Sequence, residues 1–320
     1  MNDRHAVLDI EEPLRLIVRC LDFHSIEALL LAIASDSSCA SISQDASLWI
    51  ELILKHFKSR RPSRRSLSLS KQIQWAPEAH PCLALQEFLF SGSDRERFRR
   101  CVHISKERIG LIKSIDGIPV DTIVFPTSRV LGMRMNAQTN EVLCRAGAAL
   151  DKFMIRTGPE CIPPLGRANP IAVTPGFGAG VELLIHCAPP ANDQIDLLFQ
   201  FTQIHSIILE LVRKHDVHCI AISPILPDTC KSFGSSWRRR LRNRSVGCSR
   251  VSLSEFAKIA LRTLQASLSQ HDWEGRVCFV CADNSPLFEA YQDQLNSILD
   301  DVHGFPSDLV SLLETESWQD

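Results

Sequence analysis

Apolar positions change their spacing along the chain. Over residues 8–57 they recur every three or four residues, the period of a helix face. "IEEPLRLIVRCLDF" puts Leu14, Ile17, Val18 and Leu21 on one side, with Pro13 expected in a first turn, where its missing N–H leaves no bond unmade. The next run carries Ile26, Leu29, Leu30 and Ile33. After a Ser- and Asp-rich break comes a short helix with Leu48, Trp49, Leu52 and Ile53, for which Asp45 or Ser47 can serve as N-cap. Residues 58–74, "KSRRPSRRSLSLSKQIQ", have few core formers and read as a linker, and "HPCLALQEFLFSGSD" reads as one more helix.

From about residue 99 strands and helices alternate. "CVHISKERIGLI" and "VDTIVFPTS" read as strands and "NAQTNEVLCRAGAALDKFM" as a helix. "ANPIAVTPGFGAGVELLIHCAPP" predicts a hairpin-like pair with turns at Thr174-Pro175-Gly176 and Gly178-Ala179-Gly180. Its second strand is expected to be buried on both faces, because Val181, Leu183, Leu184 and Ile185 leave it no polar side. A long amphipathic helix ("IDLLFQFTQIHSIILELVRKHD"), a buried strand ("VHCIAISPIL"), a helix opened by the capping box "SLSE" and a last buried strand ("RVCFVCAD") follow. Apolar strands alternating with helices imply an α/β fold, its sheet covered on both faces.

The chain has 320 residues, 45% of them hydrophobic, which exceeds what one core usually holds, so more than one domain is expected. A net charge of −2 gives no overall pull toward nucleic acid or membrane. The first residues lack an apolar segment of the secretory type, and the longest apolar run, "IEALLLAIA", is far too short to span a bilayer. The 12 cysteines therefore read as reduced thiols in a cytoplasmic or nuclear protein. Cys278 and Cys281 of "CFVC" would point to opposite faces of a strand, and His103, His186, His215 and His218 lie scattered, so no metal site is expected. Ser223 lacks a nucleophile-elbow pattern and His186 suits a structural role, so no hydrolytic triad is read. The arginines of "KSFGSSWRRRLRNRSVGCSR", namely Arg238, Arg239, Arg240, Arg242 and Arg244, form either a solvated loop, a contact for a polyanion such as RNA, poly(ADP-ribose) or an acidic protein, or an import signal.

Taken in order, residues 99 to 303 resemble the macro domain, a three-layer α/β/α module with a mixed sheet that binds ADP-ribose. The motifs that carry the likeness are "VDTIVFPTSRVLG", "CRAG", "GRANPIAVTPGFGAGVELLIHCAPP", "IAIS" and "VSLSEFAKIALRTLQASLSQHD" followed by "RVCFVCAD". Residues 8–57 resemble an F-box, a small helical domain that docks an Skp-type adaptor of a cullin ubiquitin ligase. The resemblance divides the chain into 8–57, a linker with a short helix at 58–98, the macro-like part at 99–303 and a tail at 304–320.

The macro resemblance implies a cleft near Arg108, Phe125, Ser128, Leu131, Gly132, Ser223, Pro224, Ile225 and Asp283. Several positions depart from the family. Phe125 and Ser128 stand in place of the two asparagines of its "NAAN", and neither offers a carboxamide. Met133, Arg134 and Met135 replace a run of glycines, Pro224 removes an amide donor, and Arg108 replaces the adenine-binding aspartate. The F-box resemblance implies partner contacts through Pro13, Leu14, Ile17, Leu21 and Trp49. The expected protein is a non-enzymatic substrate adaptor of a ubiquitin ligase that recognises ADP-ribosylated or other proteins. It has no cofactor, and ADP-ribose is at most a weak ligand. A macro-domain ADP-ribosylhydrolase and a polyanion- or nucleic-acid-binding module are the alternatives.

Overall fold

The computed structural model describes residues 4–33, 40–59, 82–127, 137–161, 170–189, 197–226, 252–270, 273–282 and 285–303. Most of the basic linker lies outside them, as do all five arginines from Arg238 to Arg244. The chain divides into two compact units: Met1–Arg99 with Ser297–Asp320, and Arg100–Asn296.

The first unit is helical: α1 (Arg4–Cys20), α2 (Phe23–Ile33), α3 (Ala40–Gln44), α4 (Ala46–Phe57) and most of α5 (Leu83–Cys101). Asp45 caps α4, its Oδ1 accepting from the backbone N–H of Ser47 at 3.1 Å and of Leu48 at 3.2 Å. The core joins Val18, Phe23, Ile26, Leu30, Ile42, Leu48, Trp49, Leu52, Ile53 and Phe57 to Leu85, Phe88 and Leu89 of α5 and to Val302. Residues 82–89, read as part of one more helix after the linker, therefore belong to this core. Side chains more than two hundred positions apart in the chain complete it.

Pro13 departs from expectation. It lies inside α1 rather than in a first turn, because the helix begins at Arg4. A proline there removes one i→i−4 hydrogen bond and crowds the carbonyl of the preceding turn.

The second unit is built on a six-stranded sheet of order β1-β8-β7-β4-β6-β5. Its strands are β1 (Val102–Ser105), β4 (Thr122–Pro126), β5 (Ile171–Pro175), β6 (Leu183–Cys187), β7 (Cys219–Ile222) and β8 (Arg276–Val280). β1, β8, β7, β4 and β6 run parallel, and β5 runs antiparallel to β6. A small hairpin, β2 (Ser114–Ile115) with β3 (Ile118–Pro119), stands apart from the sheet. Every residue of β4 and β7 is buried, as their unbroken apolar runs require.

Helices α6 (Ala137–Ala146) and α7 (Ala148–Cys161) lie on the face carrying Phe125, Leu184, Ala221 and Cys278. α8 (Leu197–Lys214) and α9 (Leu253–Gln270) pack on each other and contribute nothing to that cluster. The result is a mixed sheet with flanking helices, the α/β/α arrangement expected. The single helix read over 136–154 is in fact two, because Gly147 takes a left-handed φ of 72° and ends α6. A further helix, α10 (Ser285–Asp300), was not expected, although its buried Leu287, Tyr291, Leu295 and Ile298 have helical spacing. β6 is second from the edge of the sheet.

One residue ties the amino ends of three strands. Asp121 Oδ2 accepts from the backbone N–H of His218 at 2.7 Å and of Cys219 at 3.0 Å. The Asp121 N–H donates to the Cys219 carbonyl, and its carbonyl accepts from Glu182 at 2.7 Å and Leu183 at 3.2 Å. Asp121→Ala should lower unfolding stability by about 2–3 kcal/mol, since two backbone donors lose a charged acceptor. Asp121→Asn, which keeps an acceptor oxygen, should cost less; equal losses in urea unfolding would refute the assignment.

Candidate functional site

In an open α/β sheet, ligands bind outside the carboxyl ends of strands where the connections change direction. Here the chain leaves β4 toward β5 and β6 on one side, then returns to β7 on the other. The switch point lies at the carboxyl ends of β4 and β7, which Thr127 and Ser223 directly follow.

The first residue beyond each of these strands is small and polar. Thr127 and Ser223 directly follow β4 and β7, and both are buried. The Thr127 N–H donates to the Cys187 carbonyl at 2.8 Å and the Ser223 N–H to the Val124 carbonyl at 2.8 Å, so each extends the sheet by one bond. Pro224 and Ile225 follow Ser223 and are buried. Thr139, in the first turn of α6, donates from Oγ1 to the Pro126 carbonyl at 2.6 Å and fixes that helix over the end of β4. At its other end, α6 meets the turn of the "TPGFGAG" stretch. A Cβ on Gly178 would come within 2.9 Å of the Ala146 carbonyl oxygen, so only glycine permits this approach.

Phe125 is wholly buried within the core, in register with His186, the two rings 4.8 Å apart. His186 Nε2 lies 3.0 Å from Thr174 Oγ1, and Nδ1 has no hydrogen-bond partner. Burial pulls the His186 pKa down to about 4, so the ring is neutral near pH 7 and serves as a packed structural group. The neighbouring thiols are equally inert: burial raises Cys278 and Cys281 to about 12, and raises Cys187 as well. Among the described residues no group of His, Cys, Asp or Glu could hold a metal ion, and no helix is long and apolar enough to cross a membrane.

Arg108 sits in the turn after β1 and is more than half exposed. Its Nε donates to Glu141 Oε1 at 2.7 Å, and a terminal nitrogen reaches the same oxygen. The carboxylate it meets is thus on α6. Arg145, one turn on, donates to the Ile112 carbonyl at 2.9 Å, so α6 holds the 108–112 turn with one acid and one base. Ser128, Leu131, Gly132 and Asp283 lie outside the described residues, as do Met133, Arg134 and Met135.

The helical unit places its singled-out residues on two different faces. Leu14 and Leu21 pack against the core, and Trp49 is fully buried, its Nε1 donating to the Ile42 carbonyl at 3.0 Å. Trp49 is therefore a core residue with no surface to offer a partner. Pro13 and Ile17 face outward, and Leu16, which periodicity did not single out, joins them at 57% exposure.

No family model matches the chain, and no curated protein matches it. Several solved macrodomain structures are similar to it. The Oceanobacillus iheyensis macrodomain with ADP is 20% identical, with a TM-score of 0.46, over 61% of this chain and 90% of that one. The Trypanosoma brucei macrodomain is 16% identical, with a TM-score of 0.45, over 62% and 68%. The macro domain of ganglioside induced differentiation associated protein 2 is 15% identical, with a TM-score of 0.49, over 66% and 89%.

Two buried histidines give the sheet unit a definite acid response. His186 and His205 both fall to about 4, against 6.5 for the free side chain. Below pH 6.5 the unfolded chain takes up protons that the folded one refuses. Their stabilising effect is therefore complete above pH 6.5 and is lost as pH falls toward 4, by up to about 3 kcal/mol per histidine. His186→Phe should flatten the stability–pH slope over this range by about 1.4 kcal/mol per pH unit. An unchanged slope in denaturant titrations from pH 7 to 4 would show that His186 is not buried neutral.

Proposed function

We propose that the chain is a recognition protein whose sheet unit is a macro-type domain that binds ADP-ribosylated or related protein targets without hydrolysing them. The observation that carries this reading is the placement of Phe125. The sequence likeness aligns it with a family asparagine, and the ring is locked against His186 in the core, with no polar atom to orient a ribose or a water. The glycine-dependent approach of α6 to the "TPGFGAG" turn and the switch point at β4 and β7 supply the scaffold for such a cleft. Arg108, engaged by Glu141, offers donors only, so an adenine amino group facing it would stay unpaired at about 1–3 kcal/mol.

Calorimetry of the full chain with ADP-ribose tests this. Binding weaker than roughly 100 μM, about −5.5 kcal/mol, is expected, with no ADP-ribose released from a mono-ADP-ribosylated substrate. Micromolar affinity would overturn the weakened adenine site at Arg108, and release above a no-protein control would overturn the non-hydrolysing reading.

A second observation favours an adaptor role for the helical unit. α1 is apolar on two sides: Val18, Leu14 and Leu21 face the core, while Pro13, Leu16, Ile17 and Cys20 face solvent. Exposures of 57% at Leu16 and 50% at Ile17, one beside the other, suit a protein partner such as an Skp-type subunit of a cullin ligase. Co-expression with an Skp homologue and gel filtration tests it. Leu16→Asp with Ile17→Asp should abolish co-elution while leaving unfolding unchanged, since neither side chain is in the core. Absence of co-elution by the unaltered chain would sink this role.

A further inference from the structure

The basic, serine-rich stretch that begins at the end of α4 has no part in either reading above, yet its first serine makes a specific contact. After Phe57 the chain turns through Lys58 in a left-handed conformation, φ 60°, and Ser59 follows, half-buried. Ser59 Oγ donates to Asp301 Oδ1 at 2.5 Å, and Lys58 Nζ pairs with Asp300 Oδ2 at 3.2 Å. The two residues after Asp301 are buried. Val302 enters the helical core, and His303 Nε2 lies 2.8 Å from Ser91 Oγ, with its ring 6.3 Å from Phe57. Ser91 Oγ also donates to the Glu87 carbonyl at 2.6 Å, so His303 must be the donor to Ser91. Residues 300–303 thus form a strap on the helical unit, two polar ties at its near end and two buried residues at its far end.

We propose that Ser59 is a phosphorylation site and that its phosphate releases this strap. A kinase using a nucleoside triphosphate would form an Oγ–P bond, break the bond between the γ-phosphorus and the diphosphate leaving group, and pass the Ser59 proton to solvent. That proton is the one shared with Asp301. Its replacement puts a group of about −1.5 to −2 charge against a carboxylate. The same phosphate lies next to Lys58 and competes with Asp300 for the ammonium group. That exchange is easy, because the Lys58–Asp300 pair is 62% and 67% exposed and such pairs contribute little. The phosphate also sits at the carboxyl end of α4, where the helix dipole disfavours negative charge. Both polar ties and the helix end are disturbed together. The basic residues around the serine, Lys55 and Lys58 before it and Arg60 and Arg61 after it, fit a kinase that selects cationic segments.

The test uses the full chain with phosphoserine installed at position 59. Hydrogen exchange of the 297–303 amides should quicken at least tenfold relative to the unmodified chain, while β4 and β7 stay protected. Ser59→Ala, which removes the bond without adding charge, should quicken it less. Asp301→Lys in the phosphorylated chain should restore protection, because the phosphate then meets a cation. Unchanged exchange on phosphorylation would overturn the proposal, as would release that Asp301→Lys leaves in place. A basophilic serine kinase should also phosphorylate Ser59 in the folded chain. Failure to do so, when a peptide of residues 52–66 accepts the phosphate, would overturn it as well.

Discussion

The sheet unit depends on Asp121. Parallel strands have no tight turn to fix their register, so something must hold their amino ends level before helices can cover them. Asp121 does this with its N–H, its carbonyl and one carboxylate oxygen, which together bind the starts of β6 and β7 on either side of β4. Because strand rise is constant, amino ends held level put the carboxyl ends level too. The crevice at Thr127 and Ser223 is therefore determined at the opposite edge of the sheet.

α6 completes the arrangement from the carboxyl side. Thr139 anchors its first turn to the end of β4, its last carbonyls rest on Gly178, and Glu141 and Arg145 hold the turn after β1. A short helix thereby joins three segments that are distant in the chain. The glycines of "TPGFGAG" matter here for the space they leave to α6 as well as for the turn they form.

The strands of the large sheet were legible in the sequence, apart from the second half of "CVHISKERIGLI", which turns away after Ser105. So were the Asp45 cap and the capping box of α9, where Ser252 N–H donates to Glu255 and Glu255 N–H to Ser252 Oγ, because each depends on neighbours a few residues away. What was not legible depends on distant partners. Trp49 and Leu21 look alike in a helical pattern, and only the arrival of Leu85, Phe88 and Val302 decides which faces are closed. Phe125 stood in an apolar strand run, but its contact with His186 needed the register of β4 against β6. The spacing of Leu287, Tyr291, Leu295 and Ile298 was visible, but polar residues between them masked the helix. Pro13 misled because the rule about first turns assumed a helix that starts beside it, whereas α1 starts at Arg4.

Since Val302 closes a core begun by Val18, residues 100–296 form an insertion within the sequence of the helical unit. On the ribosome that unit stays incomplete while the whole intervening sheet is made, with Phe57 and Phe88 waiting for a residue translated more than two hundred codons later. The sheet unit has no such debt to later sequence beyond α10. Synthesis should therefore pass through a stage with the sheet complete and the helical cluster still open.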